Sequence, residues 1–171
     1  MSQAPKSPEL FFSEYVPARV ARLSSALSGK DSPGSVAFSV LGAGTWWLRL
    51  KAGVLEVSAS ELPDLLLTIA LRLDDFASII VTGADQVGED LAPERQIIAA
   101  RMLTLDSEHA KLVRSVPGSL GLLLSDGAVK RRLLVSPCTA ALDLDHPSCE
   151  IACTIQDFWA MQAGSANAFE L

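Results

Sequence analysis

The sequence predicts an α/β (α+β) fold with an internal repeat, on three observations. Short runs of alternating or continuous apolar residues, the pattern of strands, are separated by stretches whose apolar residues recur at helical spacing. A unit of hairpin, apolar strand and Asp-Phe helix occurs twice in the same order. Hydrophobic residues make up 49% of the 171 residues, enough to bury a sizeable core, although aromatic residues are only 6%.

The first element is a helix. Ser7 followed by Pro8 places an N-cap residue before a proline at the first helical position. Phe12, Val16, Val20, Leu23 and Leu27 then recur at spacings of four, four, three and four, which lines one helical face. Pro17 has no amide N–H and should kink this helix or divide it, and Gly29 stands at the expected C-cap. Val36, Phe38 and Val40 alternate as a half-buried strand. After the turn Gly42-Ala43-Gly44-Thr45, Trp46, Leu48 and Leu50 alternate with Trp47, Arg49 and Lys51, giving a hairpin with one apolar and one wet face. Val54 to Val57 add a strand after the Gly53 turn. The near-continuous apolar run from Asp64 to Leu73 reads as a central strand. Asp74-Asp75 then cap a short helix over Phe76 to Thr82, which Gly83 ends.

Ala84 to Pro93 is irregular, and Gln96 to Leu103 fits either strand or helix. Asp106 caps a helix running to about Ser115, stopped by Pro117-Gly118. The first pattern then returns. Leu120, Leu122 and Leu124 alternate, Ser125-Asp126-Gly127 turn the chain, and Ala128 to Val135 run back. A loop with Pro137, His146 and Pro147 leads to a strand over Cys149 to Ile155, and Asp157 caps a helix ending at Gly164. Asp75-Phe76 and Asp157-Phe158 lie 82 residues apart (157 − 75), Gly34-Ser35 and Gly118-Ser119 lie 84 apart (118 − 34), and Gly83 and Gly164 lie 81 apart (164 − 83). One duplicated unit explains these coincidences together. The expected units are residues 1–92 with the N-terminal helix, a connecting segment over 93–117, and a second, diverged unit over 118–171.

The net charge of −6 is the wrong sign for a nucleic-acid partner, because phosphate neutralisation needs clustered Lys and Arg. The single tight basic run, Lys130-Arg131-Arg132, reads as a solvated strand face. Met1 to Pro8 lack the apolar stretch of a secretory signal, and no segment approaches the roughly 20 apolar residues that span a bilayer, so no integral membrane association is expected. Three cysteines, Cys138, Cys149 and Cys153, are too few and odd in number for a disulfide framework, which makes a reducing cytoplasm the simplest location.

Candidate chemical centres do not assemble. Cys138, His146, Cys149 and Cys153 could supply four zinc ligands, but no pair has the two-residue knuckle spacing. At the 82-residue offset Cys149 and Cys153 fall on Leu67 and Leu71, so they read as buried core thiols and no metal is expected. There is no Gly-x-Ser-x-Gly elbow, and His109 and His146 sit in no hydrolase motif. Asp143 and Asp145 read as turn formers. Of Asp74 and Asp75, capping explains one and solvent the other. Gly42-Ala43-Gly44 precedes a Trp-rich strand rather than a helix, which argues against a dinucleotide loop. The sequence therefore predicts no enzyme and no cofactor.

Phe11-Phe12-Ser13-Glu14-Tyr15-Val16-Pro17, the strand Val36-Ala37-Phe38-Ser39-Val40 with Gly42-Ala43-Gly44-Thr45-Trp46, and Leu67-Thr68-Ile69-Ala70-Leu71 leading to Asp75-Phe76 and Gly83 resemble the sterol carrier protein 2 family. The resemblance covers about the first ninety residues. Gly118 to Gly164 look like a diverged copy, clearest from Asp157-Phe158 to Gly164-Ser165-Ala166-Asn167-Ala168-Phe169. It implies a mixed five-stranded sheet covered by helices around a tunnel for sterols, fatty acids or acyl-CoA, and binding or transfer rather than chemistry. By the resemblance Phe38, Trp46, Leu48, Phe76, Ile79 and Ile80 line that tunnel. Two departures stand out. Gln96-Ile97-Ile98-Ala99-Ala100-Arg101 replace the family's Gly-Lys strand and Gly-Asp turn, and Phe169-Glu170-Leu171 end the chain where the second copy should begin that strand, which reads as an incomplete second unit. The expected function is non-catalytic binding of a hydrophobic small molecule. The competing expectation is a structural or protein-interaction module with a filled core. An open sheet edge would invite a second copy of the chain or another partner.

Overall fold

The computed structural model describes residues 3–23, 27–87, 104, 107–137 and 142–162. Its centre is one seven-stranded mixed sheet. The strands are β1 (Ser35–Leu41), β2 (Gly44–Lys51), β3 (Val54–Ser58), β4 (Leu65–Arg72), β5 (Leu120–Asp126), β6 (Val129–Pro137) and β7 (Cys149–Thr154). They lie in the order β3-β2-β1-β4-β6-β5-β7. The apolar run read as a central strand is β4, fourth of the seven, with Leu66, Ala70 and Leu71 buried. The sheet has seven strands rather than the five implied by the resemblance, because β4 pairs antiparallel with β6 and joins both halves of the chain, with Ile69 opposite Val135.

Pairing follows one scheme on each side of that seam. β1 pairs antiparallel with β2 and parallel with β4, with Phe38 opposite Trp46 and Ile69. β5 pairs antiparallel with β6 and parallel with β7, with Leu122 opposite Leu133 and Ile151.

Among the described residues, four helical stretches with defined bounds accompany the sheet. The first, α1, covers 8–21 as Pro8–Leu10, a wider π-type segment Phe11–Tyr15, and Val16–Ala21. The expected break at Pro17 is a change of pitch: the Val16 N–H donates to the Phe11 carbonyl five residues back, just before the residue that has no N–H to give. The second, α2, covers 73–87 and repeats the device. Ala77–Val81 is π-type, and the Thr82 N–H and hydroxyl both donate to the Ala77 carbonyl. The last two are α3 (Ser107–Ser115) and α4 (Ile155–Gln162). Asp106, expected to cap α3, and Gly164, expected to end α4, lie outside the described residues, as do Gln96 to Leu103.

Helices α1, α2 and α4 pack on one sheet face, where Phe11, Phe12, Phe76, Ile79 and Phe158 join Val40, Trp46, Leu48, Leu71, Leu124 and Leu133 in a single core. On the opposite face Leu144 packs against Ala70 and Leu134, and α3 lies against β4 and β6. With cover on both sides, the expected wet face of the first hairpin does not hold: Trp47, opposite Ala37, is buried.

Four further expectations are corrected by contacts distant in sequence or by helix register. Gly83 lies inside α2 instead of ending it. A Cβ there would fall within the Trp159 indole, so the missing side chain lets α4 approach α2. Asp75 is neither a cap nor solvated. Arg72 is the N-cap of α2 and makes no side-chain cap bond, while Asp75 is buried and accepts a hydrogen bond from Arg131 at 3.2 Å. Of the basic run, Lys130 is exposed as expected, but the two arginines are engaged: Arg131 meets Asp75, and Arg132 bonds Glu150 at 2.7 Å and the Leu144 carbonyl at 3.0 Å. At α4 the cap is Thr154. Its hydroxyl accepts from the Asp157 N–H at 3.0 Å and donates to the Asp157 carboxylate at 2.6 Å, a reciprocal arrangement that places Asp157 third in the helix.

Candidate functional site

Between the sheet and helices α1, α2 and α4 lies a cavity of about 610 Å³. Strand alternation puts Phe38, Leu48, Ile69, Leu122, Leu133 and Val135 on its floor. Phe11, Phe12 and Val16 come from α1, Ile79, Ile80, Gly83 and Ala84 from α2, and Phe158 and Trp159 from α4. The π-type segments of α1 and α2 thus each send side chains to the same space, consistent with the tendency of such segments to occur at functional sites. Phe12 anchors the wall, with its ring 5.0 Å from that of Phe38 and stacked 5.1 Å from Trp46. Phe158 and Trp159 meet edge to face at 4.8 Å.

Among the described residues, two polar groups break the apolar lining. Arg19 is the charged residue on the wall, with Nη1 donating to the Tyr15 hydroxyl at 2.6 Å and the guanidinium 5.4 Å from the Tyr15 ring. The Trp159 indole N–H is buried and finds no acceptor among the described residues. Arg19 also lines a second cleft, of about 340 Å³, on the outer side of α1, with Gln3, Glu14, Tyr15 and Arg22.

Of the six residues expected to line a tunnel, Phe38, Leu48, Ile79 and Ile80 line the cavity. Trp46 and Phe76 sit behind it: Trp46 stacks on Phe12, and Phe76 is fully buried with its ring edge-on to Phe11 at 5.4 Å. Sequence reading missed Arg19, because an Arg on the flank of an amphipathic helix reads as solvated, and missed Leu122, Leu133, Val135, Phe158 and Trp159. The alternation of Leu120, Leu122 and Leu124 was the available signal for the second-half contribution.

The cysteines and loop acids form no comparable centre. Cys149 is exposed and Cys153 half-buried, contrary to the expectation of buried core thiols, because β7 is an edge strand whereas β4 is central. Burial, and secondarily the Asp157 carboxylate, pushes the Cys153 thiol up, away from a reactive thiolate. Cys138 lies outside the described residues. Among the described residues no three His, Cys, Asp or Glu side chains converge as a metal site. Asp143 forms the expected turn, accepting the Asp145 and His146 N–H groups. Its bond to exposed His146 Nδ1 at 3.0 Å is the main reason that its carboxyl lies below the usual range. Among the described residues no helix is long and apolar enough to cross a membrane. No family model matches the chain, and neither does a curated protein or a solved structure.

Proposed function

We propose that the chain binds a hydrophobic small molecule, such as a sterol, fatty acid or acyl-CoA, in the cavity between sheet and helices and does no chemistry on it. The observation that carries this reading is the cavity itself. It is a pocket partly open to solvent, and its volume of about 610 Å³ with a mostly apolar lining falls in the range of small-molecule sites. That volume favours binding over a structural or interaction module with a filled core. On the same reading the chain is a diverged relative of the sterol carrier protein 2 family, built from a duplicated unit and working in the cytoplasm; the residue pattern of its first ninety positions and the recurring strand pairing support this. Edge strand β7, where Ile151 is 50% exposed, is the place for a second copy or another protein to add a strand.

The test is a titration with a fluorescent polyene fatty acid, read by the fluorescence anisotropy of the probe. Saturable binding to the wild type is expected. Val135→Trp and Ile69→Trp, which fill the floor of the cavity, should each weaken it about tenfold while keeping the circular dichroism spectrum. No binding by the wild type, or equal binding by the filled variants, would overturn the reading.

A further inference from the structure

β4 and β7 hold the same position in the two pairing schemes, each parallel to a strand that is also half of a hairpin. The other side of β4 is taken by an antiparallel strand, β6. The other side of β7 is the end of the sheet. Proteins protect such ends with lysine, proline or a bulge. β7, Cys149-Glu150-Ile151-Ala152-Cys153-Thr154, has none of these. It pairs with β5 in unbroken register, the Glu150 carboxylate is held by Arg132 at 2.7 Å, and five of its six residues are exposed. β3, at the opposite end, has two exposed residues of five and α1 lies against it. From this, and resting on the reading of β7 as a docking edge, we infer that a second copy of this chain adds its own β7 there, antiparallel, across a two-fold axis at Ile151.

The backbone selects that register. The Cys149 N–H donates to the Ser119 carbonyl at 3.0 Å, so Cys149, Ile151 and Cys153 turn their backbone groups to β5, and Glu150, Ala152 and Thr154 turn theirs outwards. The axis therefore passes beside one residue, since an axis between residues would set outward groups against inward ones. At Glu150 it would oppose two like charges. At Ala152 it would set Cys149 opposite Ile155, where the chain has already entered α4. Nearer either end of the strand too few residues overlap. At Ile151, Glu150 of one copy exchanges both backbone hydrogen bonds with Ala152 of the other, and half-exposed Ile151 packs on its own counterpart. Cys149 then faces Cys153 of the second copy in a non-hydrogen-bonded pair. Cα atoms in such a pair lie about 4.5 Å apart, within the roughly 4.4–6.8 Å that a disulfide spans. Pairing through one edge on each chain closes at two copies.

Sedimentation velocity of the reduced full chain over a range of concentrations should show a species of twice the chain mass. Ala152→Pro removes an outward N–H and leaves the bonds to β5, and Ile151→Lys sets two like charges at the axis. Each should weaken association about tenfold or more while keeping the circular dichroism spectrum. Oxidation with diamide, then mass spectrometry of unreduced peptides, should find Cys149 joined to Cys153. That link reports a second copy, because the two residues lie about 13 Å apart along one strand. A wild type that stays a monomer would overturn the dimer. In that case a protected Ala152 amide in hydrogen exchange would assign the edge to another part of the same chain, and an exchanging one would leave it free. A dimer that survives both substitutions, or in which diamide never joins Cys149 to Cys153, would overturn this interface. The wild-type disulfide decides the matter even if a variant does not fold. None of these outcomes bears on the cavity, which the probe titration tests.

Discussion

The two strand-to-helix junctions differ in how they use the same residue. The second strand of each parallel pair runs directly into a helix whose third residue is an aspartate, Asp75 after β4 and Asp157 after β7. At the second junction the preceding residue is Thr154, and the aspartate closes a local ring with its hydroxyl and amide. At the first the preceding residue is Arg72, which turns away to Asp145 at 2.9 Å, so Asp75 reaches across to Arg131 on β6. The aspartate of the first junction is thus fastened to the other half of the molecule, and that of the second to its own N-cap. With Thr154 at the N-cap the aspartate bonds within its own helix end, and with Arg72 there it ties two distant segments of sequence together.

The largest effect that separates the junctions is on stability. Asp75→Ala leaves Arg131, only 18% exposed at its side chain and with Nε lacking a partner among the described residues, as an uncompensated charge, and should cost about 3 kcal/mol. Asp157→Ala removes half of a local cap and should cost about 1 kcal/mol. Urea unfolding of both variants checks the ratio, and equal losses would break the comparison. The next effect tests the contact between the helices themselves. Gly83→Ala drives a methyl into Trp159 and should destabilise by about 1–3 kcal/mol. Combined with Trp159→Ala, the same change should stabilise by about 1 kcal/mol through helix propensity. A thermal-melt cycle that shows no reversal of sign would remove Trp159 as the reason for the glycine. The smallest effect contrasts two thiols on one strand. Iodoacetamide should alkylate exposed Cys149 about tenfold faster than Cys153, whose thiol burial pushes up, and peptide mass spectrometry reads the difference.

What was legible in the sequence was local and periodic. Val36, Phe38 and Val40, the run from Asp64 to Leu73, and the turns at Gly42 and Gly127 gave strands and hairpins where the structure has them. What was not legible depends on partners far along the chain. Gly83 reads as a helix stop until Trp159 is placed against it, and Arg131 reads as solvated until Asp75 arrives 56 positions away. The transfer of burial across the 82-residue offset also failed for Cys149. Pairing register says which residues oppose each other, but position in the sheet decides whether anything covers them, and β7 is at the edge. The cavity was illegible for a similar reason. Phe38, Leu48, Ile79 and Ile80 face inward whether the space between them is filled or open, and the separation of helices from sheet is set by many contacts together.

Native mass spectrometry of the purified protein, followed by organic extraction, tests ligand binding most directly. The account predicts a mass increment from a co-purifying amphiphile at near-stoichiometric amounts, lost on delipidation and regained on adding dodecanoate. A bare chain whose mass does not shift with fatty acid, sterol or acyl-CoA would contradict it.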